Sequence, residues 1–198
     1  MDKATTGEPL ALLDAVSQTV ASAAPRWLDE QQTLTASRVP PEARDGLCLA
    51  AWLLVMDRAR GDARVAIATD RGQLELDVPR DGTVADWVSR VAGATGQALP
   101  TSAAESEVAW LDAAGLDRHE PSSDGPWLAA GLSADGTALR LRFKTPPVER
   151  TSVRALLAAW HEVVQAFASD ATAPLAGVGL LSPSERQRQH ALLDGGPW

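Results

Sequence analysis

The sequence predicts an α/β fold, a two-layer sandwich in which helices cover largely one face of a mixed sheet. Three patterns carry that expectation. Residues 47–56 form an unbroken apolar run inside a longer helical stretch, the mark of a helix covered on several sides. Segments that alternate in strand fashion flank Ala134-Asp135-Gly136-Thr137, and Asp-Gly between alternating runs is a strong hairpin signal. Val153, Leu156, Leu157, Trp160, Val164 and Phe167 recur at i, i+3, i+4 spacing, so a helix over residues 151–168 offers one apolar face to a sheet.

Taken in chain order, Pro9 at a first-turn position and Leu10, Leu13, Val16 and Val20 predict a first helix to about residue 24. Between Pro25 and Pro40 the pattern is weak, and Thr33-Leu34-Thr35-Ala36 alternates as a short strand. The buried helix follows over 42–60, with Gly61 as its stop. Residues 63–69, with Val65 and Ile67, read as a central strand; 73–78, with Leu74, Leu76 and Val78 on one face, read as a half-exposed one. Asp70-Arg71-Gly72 is the tight turn between them.

Thr83 and Asp86 resemble a capping box opening a helix with Val84, Trp87, Val88 and Val91 on its apolar face. Ser102 and Glu105 repeat the device and predict a helix carrying Val108, Leu111 and Ala114, closed by Gly115. The hairpin pairs 127–132 with 138–143. Ser182-Pro183-Ser184-Glu185 is a full capping box with proline at the first helical position, so a last short helix runs to about residue 193.

Composition narrows the function classes. The 198 residues suit one globular domain, and 45% hydrophobic content can build its core. A net charge of −8 argues against a nucleic-acid binder, which needs a basic surface. The ten-residue apolar run is too short for a bilayer, and the first residues lack a secretion signal, so no membrane role is expected. One cysteine, Cys48, excludes an internal disulfide and a multi-cysteine metal site and fits a reducing, cytoplasmic setting. No cofactor or metal is expected.

Chemistry-bearing residues are few. His119 lies in a polar loop where a solvated side chain is the default, His161 sits at the edge of a helical stripe, and His190 on a polar helical face. None has convincing company for acid-base work. Cys48 lies in an apolar stretch and reads as core filler rather than a nucleophile. Phosphate-loop, dinucleotide and Gly-x-Ser-x-Gly patterns are absent. Arg140, Arg142 and Lys144 alternate with Leu139, Leu141 and Phe143, which puts three cations on one side of a strand; a solvated face is the expected reading, an anion-binding one the alternative.

Several stretches taken in order carry a family likeness. They are Ala50-Ala51-Trp52 within the apolar helix, the strand Val65-Ala66-Ile67-Ala68-Thr69, Leu74-Glu75-Leu76-Asp77-Val78 followed by Thr83-Val84-Ala85-Asp86-Trp87-Val88, and Leu139-Arg140-Leu141-Arg142-Phe143 followed by Val153-Arg154-Ala155-Leu156-Leu157. The last is Pro174-Leu175 with Leu180-Leu181-Ser182-Pro183-Ser184-Glu185-Arg186-Gln187. Together they resemble the C-terminal half of a nonribosomal peptide synthetase condensation domain and the start of its linker to an adenylation domain. The resemblance implies one lobe of the chloramphenicol acetyltransferase-like fold, with residues 1–173 as a truncated condensation-like domain and 174–198 as linker.

The family's catalytic His-His-x-x-x-Asp-Gly motif belongs to the other lobe, and this chain has no adjacent histidines. The family also extends a long segment from the strand matching 65–69, whereas here Asp70-Arg71-Gly72 turns straight into the next strand. The resemblance thus implies a lobe without catalytic residues of its own, docking the adenylation domain of the same polypeptide or a carrier protein, with Leu180, Leu181, Glu185, Arg186, Leu192 and Leu193 as docking residues. The rival expectation is half of an amide-forming acyltransferase completed in trans. A third, an unrelated small α/β interaction domain, rests on the commonness of the fold pattern.

Overall fold

The computed structural model describes residues 26–34, 39–61, 64–95, 107–119, 126–145 and 148–182. At its centre lies helix α1 (Pro41–Arg60), where Cys48 to Met56 are nine consecutive buried residues. Pro41 opens it at a position whose missing N–H costs nothing, and Gly61 closes it in the left-handed region at φ 67°. A helix apolar all round needs cover all round. The sheet supplies one side, and α2 (Val84–Thr95) and α4 (Arg150–Ser169) pack against it from others.

The sheet has six strands, β1 (Arg26–Thr33), β2 (Val65–Thr69), β3 (Gly72–Leu76), β4 (Val108–Trp110), β5 (Leu128–Leu132) and β6 (Ala138–Thr145), in the order β1-β6-β5-β4-β2-β3. β2, β4 and β5 run parallel; β3, β6 and β1 pair antiparallel to their neighbours. Strand alternation sends Ile67, Val108, Trp110, Leu128, Leu139, Leu141 and Phe143 into the main core with α1, α2 and α4. Ala68, Ala109 and Ala129 face the other way, under Leu116 of the short helix α3 (Ala113–Arg118). The expected mixed sheet, covered mostly on one face, is the one found.

Several local devices match expectation. The Asp86 carboxylate accepts from the Thr83 N–H at 3.0 Å while Thr83 Oγ1 accepts from the Asp86 N–H at 3.2 Å, closing the capping box of α2. In the β5–β6 turn Gly136 takes φ 66°, and Asp135 accepts from Ser133 and Thr137. After α4 the chain returns to α2: the carbonyls of Ala171 and Ala173 accept from Ala85 and Val84, first-turn donors that have no partner inside their own helix. Leu175, in a 3-10 turn (Leu175–Gly177), is buried, and its carbonyl accepts from Arg58 at 2.9 Å.

Two expectations are corrected. The helix expected through Val108, Leu111 and Ala114 is instead β4 followed by α3, with Asp112 as N-cap; Gly115, expected as a stop, lies inside α3 and donates to Asp112 Oδ1 at 2.5 Å. β4 is covered on both faces, so Val108, Ala109 and Trp110 are all buried and the strand shows no alternation. The strand expected over 33–36 lies earlier, at Arg26–Thr33. Its position facing α4 opposite Leu141 is Glu30, paired with Arg150 and Arg154, so an ion pair stands where the pattern looked for an apolar residue. The helices expected over 9–24 and 183–193, and the Ser102 and Glu105 cap, lie outside the described residues.

Gly131 in β5 shows how closely the second face is packed. A Cβ there would stand 2.2 Å from the Leu111 carbonyl oxygen and 2.7 Å from Leu116 Cδ1, whereas one on Gly46 in α1 would meet nothing within 4 Å. We expect Gly131→Ala to lower unfolding free energy by about 3 kcal/mol. Gly46→Ala should raise it by up to ~1 kcal/mol, as alanine is the better helix former. Urea unfolding of the two variants measures both; a neutral Gly131→Ala would contradict the close approach.

Candidate functional site

The residues with potential chemistry are held apart. Cys48 is fully buried in α1, and desolvation, with Asp45 nearby, pushes its thiol up to about 12. That environment keeps it a neutral thiol and an inert core residue, as expected. His161 on α4 has a side chain 12% exposed, its ring nitrogens make no hydrogen bond, and the nearest carboxylate, that of Glu162, is 4.0 Å away. A general base needs an orienting partner and a reachable proton, and His161 has neither in this arrangement. His190 lies outside the described residues.

His119 departs from the solvated loop position expected of it. It terminates α3, is partly buried, and its ring meets Trp27 of β1 edge-on with centroids 4.7 Å apart. Burial, and to a smaller extent Arg142 and Lys144, lower its pKa below the ordinary histidine value, against a hydrogen bond to the Pro126 carbonyl that raises it.

The cationic row of β6 is also not the solvated face expected. Arg140 is bonded to Asp117 at 2.8 Å and to Asp29 at 3.3 Å. Arg142 donates to the carbonyls of Leu116 at 2.8 Å and Asp117 at 3.2 Å. Lys144 is buried with Nζ 5.5 Å from the Trp27 ring centroid. The three charges thus latch β1 and α3 onto β6. Alternation identified their common side; it could not show that β6 is an interior strand with a helix above it.

A cleft of about 390 Å³ opens where β2 and β4 end, a place that sequence reading did not single out. After β2 the chain turns through β3 to α2, which packs with α1 in the main core, and after β4 it passes to α3 over the other face. Such a divergence leaves a crevice at the carboxyl ends of parallel strands. Thr69, Asp70 and Arg71 line it from β2, Trp110 and Asp112 from β4, and Asp45 from the first turns of α1. Although Asp45 stays accessible at the mouth, desolvation and then the charges of Asp70 and Asp112 raise its pKa, with a hydrogen bond to Trp110 opposing. Among the described residues no three histidine, cysteine or carboxylate side chains are placed to hold a metal ion.

A second cleft, of about 520 Å³, lies beside the C-terminal segment, lined by Leu54, Arg58, Val78, Arg80, Leu175 and Ala176 among others. Of the expected docking set, Leu180 and Leu181 are described. Leu180 packs against the core's edge and Leu181 is partly buried beside it. Glu185, Arg186, Leu192 and Leu193 lie outside the described residues.

No family model and no curated protein sequence matches the chain. Solved structures do. The starter condensation domain of rhizomide synthetase RzmA superposes with TM-score 0.57 at 14% identity, over 88% of this chain and 52% of that one. The condensation domain from the Monacolin K polyketide synthase MokA gives 0.55 at 12% identity, over 76% and 49%. Holo-AB3403, a four-domain nonribosomal peptide synthetase bound to AMP and glycine, gives 0.61 at 8% identity, over 81% and 18%. The fold is that of a condensation domain. At these identities the likeness concerns the fold alone, and the chain spans about half the length of the two condensation domains. Among the described residues no helix of this condensation-domain fold is long and apolar enough to cross a membrane.

The environment of Cys48 has a measurable consequence. Its thiol titrates at 9.0 when free and about 12 in the fold, so between those values the unfolded chain loses the proton first and stability falls as pH rises. The loss should approach roughly 4 kcal/mol at the upper end. With no tyrosine and two lysines, Lys3 and Lys144, few other groups titrate in that window. Alkaline denaturation followed by tryptophan fluorescence should show the decline, and Cys48→Ala should flatten it; equal slopes would mean that other groups set the alkaline limit.

Proposed function

We propose that this chain is the C-terminal lobe of a condensation domain without its catalytic partner lobe, and that it serves a nonribosomal peptide synthetase as a structural docking platform. Residues 1–173 form the lobe. The segment from Pro174 leads toward an adenylation domain in the same polypeptide, and a carrier protein is the other candidate partner. Leu180, Leu181, Glu185, Arg186, Leu192 and Leu193 are the proposed contacts. The observation that carries this reading is the match of nearly the whole chain to about half of a condensation domain, by a single sheet with its own helices.

Two further features support it. The connection from β2 to β3 is the two-residue turn Asp70-Arg71, with Thr69 Oγ1 donating to the Gly72 carbonyl at 2.7 Å, so β2 feeds directly back into its own sheet. His119 is packed against Trp27, and His161 has no partner that could orient it. The anchorage of Leu175 beneath Arg58 gives the departing segment a root on the core.

Mixed with two aminoacyl-loaded carrier proteins, the chain alone is expected to yield no dipeptide above background. Dipeptide lost on His119→Ala or His161→Ala would overturn the non-catalytic reading, and dipeptide formed only on adding a lobe with the His-His-x-x-x-Asp-Gly motif would replace it with an acyltransferase assembled in trans. Docking is tested separately by joining the chain to an adenylation domain and changing Leu192 and Leu193 to Ser. Burial of two leucines contributes roughly 3 to 6 kcal/mol before association costs. The paired change should therefore lower the unfolding temperature of the joined protein; an unchanged value excludes the contact.

A further inference from the structure

Around the Trp27 indole three side chains meet in an arrangement suited to one protonation state. His119 touches the ring edge-on at 4.7 Å, Arg142 stands 5.9 Å and Lys144 Nζ 5.5 Å from the indole centroid. His119 Nε2, Trp27 Nε1 and Arg142 Nε are buried without a hydrogen-bond partner. Since the imidazole is bonded to the Pro126 carbonyl, its other nitrogen, Nδ1, is the donor. A neutral imidazole satisfies that geometry. A second ring proton would sit on Nε2, a buried atom with no acceptor among the described residues, in the field of Arg142 and Lys144.

We propose that His119 is a proton-operated latch for α3: in its neutral form it pins the end of that helix against Trp27, and on protonation it leaves the packed site and loosens the cover on the second face of the sheet. Among the described residues, the charged side chains in contact with the Trp27 and His119 rings are cations. β6 contributes Arg142 and Lys144, both cationic, and β1 contributes the uncharged indole. The nearby acids Asp29 and Asp117 are bonded to Arg140, and Arg118 on the same helix is exposed. What α3 covers is the small-residue patch of Ala68, Ala109 and Ala129 under Leu116. Because the fold favours the neutral ring, the contribution of His119 to stability is complete above the unfolded histidine value and is lost as pH falls through it toward the lower folded one. This inference is independent of the proposed synthetase role.

The test is NMR on the full chain between about pH 7 and about pH 5, the range in which histidine changes charge. Two quantities are read: the titration of the His119 ring, and the exchange protection of the Leu116 and His119 amides, which donate to the Asp112 and Leu116 carbonyls. Protection corrected for intrinsic rates should fall by roughly tenfold on acidification, and His119 should titrate below its unfolded value. His119→Phe keeps a ring against Trp27 and removes the proton site, so its α3 protection should be independent of pH. Ordinary titration of His119, pH-independent protection in the native chain, or an equal loss in His119→Phe would each overturn the latch. Should the variant fail to fold, the ring titration and amide protection of the native chain decide alone.

Discussion

The fold depends on burying a helix that has no polar side over most of its length. Residues 48–56 of α1 all lie in the core, so no orientation of the helix could leave one flank in water. Its neighbours therefore grip as well as cover it. The indole N–H of Trp87, from α2, donates to the Ala50 carbonyl and that of Trp160, from α4, to the Cys48 carbonyl, both at 2.9 Å. Each is a large apolar surface with one polar atom, and each finds its acceptor on the helix it packs against. Trp52 and Trp110 complete the cluster with ring centroids 5.1 and 5.7 Å from Trp160. In a chain with no tyrosine and two phenylalanines, tryptophan supplies most of the aromatic volume.

Covering α1 on one side of the sheet leaves the other side with a different task. The strands there present small residues near their middle and charged ones toward β1, so the second face is thin at α3 and polar at β6. A six-residue helix cannot hold itself in place by its own hydrogen bonds. It is fixed from outside by Arg142 on its last carbonyls, by Arg140 on Asp117, by Leu116 over the alanines, and by the close pass of Leu111 above Gly131. The main core is thus secured by volume, and the second face by a few specific polar contacts. Loss of one such contact acts on α3 without touching α1.

This division also explains what could be read from the sequence. Helices α2 and α4 and the β2–β3 pair follow the simple period of their element because each has a wet side, α1 shows as one unbroken apolar run, and the β5–β6 hairpin is marked by Asp135-Gly136 in its turn. β4 failed since both of its faces are covered within three residues, and Leu111 and Ala114 beyond it continued a helical spacing by coincidence. β1 failed because Glu30, answered by two arginines of α4, occupies an inward position. The partners of the cations on β6 come from β1 and α3, distant in sequence. For the same reason the cleft at the ends of β2 and β4 had no sequence signal: it is made by where two connections diverge rather than by a run of residue types.

The closed β2–β3 hairpin bears on how the described sheet ends at that edge. The main core is built from the described elements: the sheet supplies one wall, three helices the other, and the return after α4 fills the end at Leu175 and Val178. At the far edge Arg64, just before β2, links Glu75 within β3 and Asp77 just after it, each at 3.1 Å, so the hairpin ends its own sheet with charge. Charged side chains on an edge strand discourage addition of another strand. A partner would therefore meet this fold through side chains and connecting segments rather than by extending β3, so contacts belong at the clefts and along the segment leaving Leu175.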